Sequence, residues 1–271
     1  AVGRTCRNTG KGTCIEMLAN YHTHTARCQH AVGEDREYVE CAIAGGIQVL
    51  GFSDHCPWVN PNGYVSGIRM TPEQLDGYVT SLTDLKREYA DDIQIYIGLE
   101  AEYIPERMEA QDALLRQYPI DYMILGQHFL GLEEEGIYSS HETTEEAQLR
   151  QYVDLVIAGM ESGRYRYVAH PDLLHYVGPE KIYKRHMTRL CQYLKQKEIP
   201  VEINMLGLLE KRHYPCAPFL RIAQQVGNTA IIGYDAHQPE RLTRLDARET
   251  CRQLLAEQYA LPLVESLPGL E

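Results

Sequence analysis

The stretch Ile47-Gln48-Val49-Leu50-Gly51-Phe52-Ser53, followed directly by Asp54 and His55, decides the fold of this chain. It is a short and nearly continuous apolar run, which is typical of a parallel strand that is buried on both faces. Similar apolar or β-branched runs recur at Met17–Tyr21, Ile93–Leu99, Tyr122–Gly126, Tyr167–Ala169, Pro200–Ile203 and Thr229–Gly233. Together these runs predict the strands of a parallel sheet.

Helical patterns separate the runs. Thr71-Pro72-Glu73-Gln74 has the form of a capping box with Pro at the first helical position. Thr143 and Glu146 predict the start of a second clear helix, and Gly163 its end. Weaker patterns predict helices at 34–45, 107–118, 179–198, 218–226 and 239–259. Strands that alternate with helices predict a single α/β domain with a barrel related to the TIM type, and an open doubly wound sheet is the alternative.

Polar or ionisable residues lie within or directly after the end of every apolar run. In chain order they are His22-Thr23-His24, Ser53-Asp54-His55, Glu100, Gln127-His128, His170, Glu202 with Asn204, and Asp235-Ala236-His237. The carboxyl ends of all strands in a parallel barrel lie at one face, where active sites are built. Imidazole and carboxylate are good ligands for Zn, Mn or Fe. The sequence therefore predicts a metal site at this face.

The spacing of the first motif supports a shared ion. His22 and His24 are two residues apart on an extended strand end, so their side chains point the same way. His30, on the loop that enters the first helix, is a candidate to hold a second ion with His55 and His237.

Other polar residues near these motifs have two interpretations. Asp54 and Asp172 are predicted either to accept hydrogen bonds from metal-bound imidazoles or to cap a helix or turn. Glu102 is expected either to point toward the same face of the barrel, at the carboxyl ends of the strands, or to pair with a Lys or Arg. The isolated histidines are not predicted to bind metal, and these are His141, His175, His186 and His213.

Composition limits the class of protein. The 271 residues carry 26 basic and 38 acidic side chains, a formal charge of −12, which argues against broad nucleic-acid binding. No run approaches 18 apolar residues, so no membrane span is predicted.

The eight cysteines form no C-x-x-C pair and no secretory leader is visible, which favours reduced thiols and a cytoplasmic location. Residues 1–16 are interpreted as an N-terminal tail, a cloning remnant or an upstream start, and 17–271 as the barrel domain.

The motifs resemble one known family. Seven motifs carry the resemblance: His-Thr-His-Thr (22–25) with His30, Gly-Phe-Ser-Asp-His-Cys-Pro (51–57), Gly-Leu-Glu-Ala-Glu (98–102), Gly-Gln-His-Phe (126–129), Ala-His-Pro-Asp-Leu (169–173), Glu-Ile-Asn (202–204) and Gly-Tyr-Asp-Ala-His (233–237). They are similar to the motifs of the polymerase-and-histidinol-phosphatase (PHP) family. Within that family the sequence resembles the histidinol-phosphatase branch most. The resemblance covers most of the chain, from about Leu18 to at least Pro239.

The resemblance implies a distorted (β/α)7 TIM-like barrel and three divalent metal ions, Zn, Mn or Fe. By matching motif, one ion takes His22, His24, Glu100 and Asp235. The second shares Glu100 and takes His128 and His170, and the third takes His30, His55 and His237. The family also carries an Arg shortly after Glu-x-Asn-x-x-Gly and basic residues after His-x-Asp-Leu, which help to hold the phosphate. This sequence departs from that pattern at both places, and the candidates to replace those residues are Lys211, Arg212 and His175.

The implied reaction is hydrolysis of a small phosphorylated substrate, L-histidinol phosphate above all. Seven neutral imidazoles and two carboxylates carry a formal charge of −2 and three divalent ions add +6, so the site would attract a phosphate despite the acidic chain. A hydroxide that bridges two ions is expected to attack phosphorus, with Asp235 or His237 passing a proton to the leaving group.

Several alternatives remain open at this level. They are another phosphomonoester as substrate, an amidohydrolase or deaminase, a nuclease or protein phosphatase of the same family, and a non-enzymatic metal-binding barrel. The sequence predicts no oligomeric state.

Overall fold

A parallel sheet forms the centre of the molecule in the computed structural model, which describes residues 18–270. Four parallel strands lie side by side in chain order: β1 (Ala19–Asn20), β2 (Val49–His55), β3 (Gln94–Ala101) and β4 (Tyr122–Leu125). A second parallel pair consists of β5 (Val201–Asn204) and β6 (Ala230–Gly233). The interpretation of residues 1–16 lies outside the described residues.

Isolated bridges connect the two groups of strands. Val168 pairs in parallel with Leu125 of β4 on one side and with Val201 of β5 on the other. Beyond β6, Ala236 pairs in parallel with Thr23, which follows β1, and its carbonyl accepts a hydrogen bond from the His24 amide at 3.0 Å. The parallel sheet is therefore curled, so that its first and last units touch.

The predicted strand at Tyr167–Ala169 was wrong in extent. Only Val168 makes bridges, and the segment forms no named strand. The physical reason is the backbone of His170, whose φ of 32° leaves the extended region immediately afterwards. The other six predicted strands are present, with ends shifted by at most two residues.

Eight α-helices surround the sheet within the described residues. They are α1 (Asp35–Ala44), α2 (Leu75–Glu88), α3 (Met108–Leu115), α4 (Glu146–Glu161), α5 (Glu180–Gln196), α6 (Met205–Leu209), α7 (Ala217–Val226) and α8 (Leu245–Gln253). The capping box at Thr71 and Gln74 is confirmed, with both reciprocal bonds present at the 3₁₀ turn Pro72–Gln74 that leads into α2. The helices α1, α2, α3, α5 and α7 lie where the sequence pattern predicts them.

Two helix predictions need correction. α4 begins at Glu146 with Glu145 in the capping position, so Thr143 lies outside the helix, where its backbone bridges Tyr176. The predicted helix at 239–259 is divided into the 3₁₀ turn Pro239–Thr243, α8 and the π turn Leu254–Tyr259. α6, a single turn after Asn204, was not predicted.

Burial supports the interpretation of the central runs. All seven residues of β2 are buried, as expected for a parallel strand covered on both faces. Inside the curl, the hydroxyl of Tyr122 lies within hydrogen-bond distance of the carbonyl oxygens of Tyr21 (2.8 Å) and Phe52 (3.0 Å), so that it links β4 to β2 and to the residue after β1. Buried tyrosines thus supply both apolar packing and polar cross-links. Within residues 18–270, none of the helices has the length and apolar character needed to cross a membrane.

Candidate metal centre

The structure brings the nine predicted metal ligands to one mouth, at the carboxyl ends of the strands. These are His22, His24, His30, His55, Glu100, His128, His170, Asp235 and His237. Most of them are buried, whereas His30 is exposed and His237 is half-buried. Chain segments more than 200 residues apart therefore contribute to one cluster.

Glu100, at the end of β3, is the centre of the cluster. Its Oε1 lies 3.0 Å from Nε2 of His170 and 3.5 Å from Nε2 of His128. Its Oε2 faces three more ring nitrogens at 3.2 to 3.6 Å, those of His55, His22 and His24. A carboxylate that faces ring nitrogens with both oxygens has the geometry of a bridging ligand.

Asp235 supplies the second carboxylate. Its Oδ1 lies 3.1 Å from Nε2 of His24, 3.5 Å from Nε2 of His22 and 3.3 Å from Nδ1 of His237. Its Oδ2 accepts a hydrogen bond from Asn204 at 3.0 Å, which fixes the orientation of the carboxylate. Asp235 has a φ of 50°, a left-handed conformation that is uncommon outside glycine and recurs at functional sites.

Several buried atoms at the cluster have no hydrogen-bond partner. Those that face the centre of the cluster are Nε2 of His22, His24 and His237, Nδ1 of His55, and both oxygens of Glu100; Nδ1 of His170, on the ring edge away from Glu100, also has none. A buried polar atom without a partner is costly, and here the atoms that face the centre point to a common space. Close groups of possible ligand atoms include His22, Glu100 and His170, and His24, His55 and His237. Unpaired imidazole nitrogens and carboxylate oxygens fit divalent metal ions.

A second layer of acceptors holds the imidazoles. Glu202 Oε1 lies 2.8 Å from Nδ1 of His22, and Asp54 Oδ1 lies 3.3 Å from Nδ1 of His24. Three further acceptors at 2.8 to 3.2 Å extend the pattern to five of the seven rings: the carbonyl of Cys28 for His30, Glu102 for His128 and the carbonyl of Asp235 for His237. An acceptor at Nδ1 leaves the Nε2 lone pair free for a metal.

The second layer also decides between the interpretations of the flanking acids. Asp54 contacts an imidazole as predicted. Asp172 instead accepts a hydrogen bond from the Cys216 amide at 2.7 Å, which anchors the start of α7. Glu102 forms a 2.9 Å ion pair with Arg69, as its second interpretation predicts, and its Oε1 also lies 3.2 Å from Nδ1 of His128.

The electrostatics of the cluster favour cations. Burial opposes ionisation of Glu100, yet the facing imidazoles, His128 and His22 foremost, hold its pKa well below the usual range. Burial likewise opposes charging of His24, but the neighbouring carboxylates of Asp235 and Asp54 raise its pKa to about 9. Burial and the charge of His24 lower the pKa of His237 to about 3. The carboxylates thus attract positive charge, whether it is a proton or a metal ion.

The cluster opens into a cavity of about 640 Å³. Besides metal-ligand candidates, its walls include Phe129, Tyr138, His141, Leu173, Leu206, Glu210, Arg212, Tyr214 and Gln238. His141, which is not a predicted metal ligand, therefore lines the cavity of the site. Tyr138 and His141 carry no recognisable sequence signal, because they lie in an irregular segment without strand or helix periodicity.

The three candidate substrate-binding residues are placed differently. Arg212 lines the cavity, and it donates to the Tyr214 hydroxyl at 3.0 Å and to Glu210 at 2.8 Å. His175 lines a separate cavity of about 360 Å³, where its ring stacks on His213 at 4.0 Å. Lys211 is exposed and is not among the residues that line either cavity. Of the three, the structure brings only Arg212 to the metal cluster.

Comparison with known proteins agrees with this architecture. A protein of Deinococcus radiodurans named probable histidinol-phosphatase is 29% identical over 231 residues, which cover 82% of this chain and 87% of that protein. The histidinol-phosphatase of Bacillus subtilis is 25% identical over 252 residues, which cover 80% of this chain and 92% of that protein.

Solved structures show the same fold. The histidinol phosphate phosphatase of Lactococcus lactis, complexed with zinc, L-histidinol and phosphate, superposes with a TM-score of 0.69 at 20% identity, over 91% of this chain and 95% of that one. A putative histidinol phosphatase of Listeria monocytogenes gives a TM-score of 0.67 at 19% identity, over 85% and 99% of the two chains. The family model for the PHP domain matches residues 20–205, most of the chain, and the chain therefore belongs to the PHP domain family.

Proposed function

We propose that this protein is a metal-dependent phosphatase that hydrolyses L-histidinol phosphate to L-histidinol and phosphate. The observation that carries the proposal is the convergence of nine imidazoles and carboxylates on one mouth, with unpaired buried atoms at Glu100, His22 and His24. The relatives named as histidinol-phosphatases, which match along more than three quarters of the chain, support the choice of substrate.

The proposed centre holds three divalent ions. His22, His24, Glu100 and Asp235 would hold the first; Glu100, His128 and His170 the second; and His30, His55 and His237 the third. When bound, such ions supply Lewis acidity to phosphate oxygens and lower the pKa of coordinated water. The zinc in the Lactococcus lactis complex makes Zn²⁺ the first ion to test.

Residues of this chain would position the substrate around that centre. Arg212 lies on the cavity wall, where Glu210 and Tyr214 orient its guanidinium, and it is placed to hold a phosphate oxygen. Asp235 and His237 line the same cavity and are the proposed groups for proton transfer to the leaving oxygen. The rings of Phe129 and Tyr138 offer an apolar wall for the organic part of the ester. Positioning and charge stabilisation are the main tasks in phosphoryl transfer.

We also propose that the curled sheet is a closed ring of seven strand–helix units. Val168 would count as the strand between β4 and β5, and the bridge between Thr23 and Ala236 would close the ring. The proposed domain extends over residues 17–271. The cytoplasmic location stays a prediction.

The amidohydrolase alternative is less compatible with this site. Enzymes of that kind often hold their metals with a Lys on the fourth strand, whereas no Lys is among the described residues that line the cavity. His30 and His237 add imidazoles that such a site does not need.

A substrate panel tests the proposed function. The purified protein is analysed for bound metals and assayed with phosphate monoesters, including L-histidinol phosphate, before and after treatment with a chelator. We expect L-histidinol phosphate to be hydrolysed fastest and activity to disappear with the metals. Full activity of a metal-free protein, or absence of hydrolysis of every monoester by the metal-loaded protein, would refute the proposal.

A further inference from the structure

A short hairpin forms one wall of the cavity. Phe129 and Tyr138 pair in an antiparallel bridge, and the Leu130 amide donates to the Ile137 carbonyl at 3.0 Å. We call residues 129–138 the cavity hairpin. Phe129 and Tyr138 line the cavity, and His128 immediately precedes the hairpin. The position of this hairpin therefore affects both the cavity wall and a candidate metal ligand.

Arg69 is a buried cation beside the hairpin. Its side chain is 1% exposed, although it lies on the segment between β2 and α2, outside the metal cluster. Its Nη2 and Nη1 donate to the two oxygens of Glu102 at 2.9 and 3.1 Å, and Nη1 also donates to the carbonyl of Cys56 at 3.2 Å. A fork of two parallel hydrogen bonds to a carboxylate fixes both partners.

The pair with Glu102 leads to the base of the hairpin. Oε1 of Glu102 lies 3.2 Å from Nδ1 of His128, while Nε2 of His128 faces Glu100 at 3.5 Å. Trp58 donates to Oε2 of Glu102 at 3.2 Å, so the carboxylate has a partner at each oxygen. Arg69 thus determines where Glu102 points, and Glu102 determines the orientation of the His128 ring.

A second contact of Arg69 reaches the tip of the hairpin. Its Nε donates to Oε2 of Glu133 at 2.7 Å, and the side chain of Glu133 is only 8% exposed. Ser66 and Tyr64, from the same segment as Arg69, donate to the other oxygen of Glu133 at 2.6 and 3.1 Å. The hairpin tip is therefore docked on the segment that carries Arg69.

We propose that Arg69 is a positioning residue that fixes both ends of the cavity hairpin, through Glu102 at the His128 end and through Glu133 at the tip. The single guanidinium couples the metal-facing orientation of His128 to the placement of the cavity wall. Its effect on catalysis rests on the proposed phosphatase function, but its effects on metal binding and on hairpin order do not.

The test compares Arg69→Lys with the unmodified protein. Lysine keeps the charge but loses the fork that holds two carboxylates at once. We expect the apparent Zn²⁺ affinity, measured by competition with a chromophoric chelator, to fall about tenfold, as for other residues that orient a metal-bound imidazole. Amide hydrogen exchange in residues 130–137 should become about tenfold faster. Circular dichroism verifies that the variant is folded.

Two further variants separate the two contacts. Glu133→Gln should accelerate exchange in the hairpin and leave the Zn²⁺ affinity within about twofold, because Glu102 keeps its fork. Arg107→Gln is the matched control: it removes an arginine that binds the neighbouring Glu134 at 2.9 Å without touching Glu102, so the Zn²⁺ affinity should not change.

The outcomes decide the proposal. A folded Arg69→Lys variant in which either readout stays within twofold of the unmodified protein overturns it, because one guanidinium is required to serve both ends. If that variant does not fold, Glu133→Gln and Glu102→Gln decide, and unchanged hairpin exchange in the first or unchanged Zn²⁺ affinity in the second overturns it. An unmodified protein without phosphatase activity refutes the proposed function alone, since neither readout depends on turnover.

Discussion

At the scale of single residues, the site depends on Glu100. This carboxylate faces ring nitrogens with both oxygens, and neither oxygen has a hydrogen-bond partner. Such an arrangement is stable only if positive charge lies between the carboxylate and the rings, because a buried and unpaired charge is costly. Metal ions or imidazole protons can supply that charge.

Replacing Glu100 by Gln tests this dependence. Glu100→Gln keeps the shape but removes the negative charge that two ions would share, so we expect metal affinity and phosphatase activity each to fall at least about 100-fold. Elemental analysis after dialysis and a phosphate-release assay measure the two effects. Glu198→Gln, an identical change at an exposed position, is the control. Normal metal content in Glu100→Gln would contradict a bridging role.

Metal uptake should release protons at neutral pH. Burial opposes protonation of His24, but its carboxylate partners raise its pKa to about 9, so the metal-free ring holds a proton at pH 7. A metal ion needs the lone pair of a neutral imidazole, and the proton must therefore leave when the ion binds. Titration of metal-free protein with Zn²⁺ in a pH-stat measures this release. The contribution of His24 should vanish above pH 9, where the ring is already neutral, and a release that grows with pH would contradict the assignment.

At the scale of the strands, close approach of the backbone shapes the site. Gly126 follows β4, and a Cβ atom at this position would overlap Oε1 of Glu100 and lie 2.8 Å from Cε1 of His128. The absence of a side chain at Gly126 therefore lets two candidate ligands from neighbouring strands meet.

Gly126→Ala should consequently impair metal binding. The new methyl group displaces Glu100 or His128, both of which are held by a rigid parallel sheet, and we expect metal affinity to fall by about tenfold or more. Chelator competition provides the measurement, and circular dichroism verifies the fold. Unaltered metal affinity would show that the end of β4 moves more freely than the structure implies.

A helix offers the matched control. Gly77 lies within α2, where a Cβ atom would meet nothing within 4 Å. Gly77→Ala should leave metal affinity unchanged and raise the free energy of unfolding by roughly 0.5–1 kcal/mol, because alanine restricts the unfolded chain and favours the helix. Urea denaturation measures this gain, and a loss of stability would contradict the open surroundings of Gly77.

At the scale of the whole molecule, metal ions should act as cross-links. His22 and Asp235 come from the first and last units of the curled sheet, and their side chains lie 3.5 Å apart. Ions that bind only the folded state stabilise it by roughly 2.7 kcal/mol each at a hundredfold excess over Kd. We therefore expect a chelator to lower the Tm by roughly 5–10 °C for each ion that it removes, measured by scanning calorimetry. An unchanged Tm in protein shown to be metal-free would contradict this view.

The sequence predicted the residues at the strand ends better than the loop residues that line the cavity. His22, Glu100 and Asp235 follow apolar runs, and a parallel sheet brings all such positions to one face regardless of their separation in sequence. That geometric rule explains why most of the metal-ligand candidates were identifiable without any knowledge of loop conformation, whereas His30 lies on a loop and was added by its motif.

Loops and turns did not follow such a rule. Lys211 follows α6 with a φ of 55°, and this turn leaves the side chain outside the cavity, whereas Arg212 lines it. His175 is a candidate for phosphate binding because it follows the motif at His170, but in the structure its ring stacks on His213 and lines another cavity. Arg69 was not identified because its partners, Glu102 and Glu133, are 33 and 64 residues away in sequence.

The bridge between Thr23 and Ala236 has a consequence for biosynthesis. During synthesis, His22 and His24 leave the ribosome long before Asp235 and His237. For that interval the two histidines lack the carboxylate of Asp235 as a neighbour. Complete metal binding would then follow translation. A cell that lacks the cation during that interval would accumulate chains in which the first and last units of the sheet are poorly joined, and such chains would be open to proteolysis.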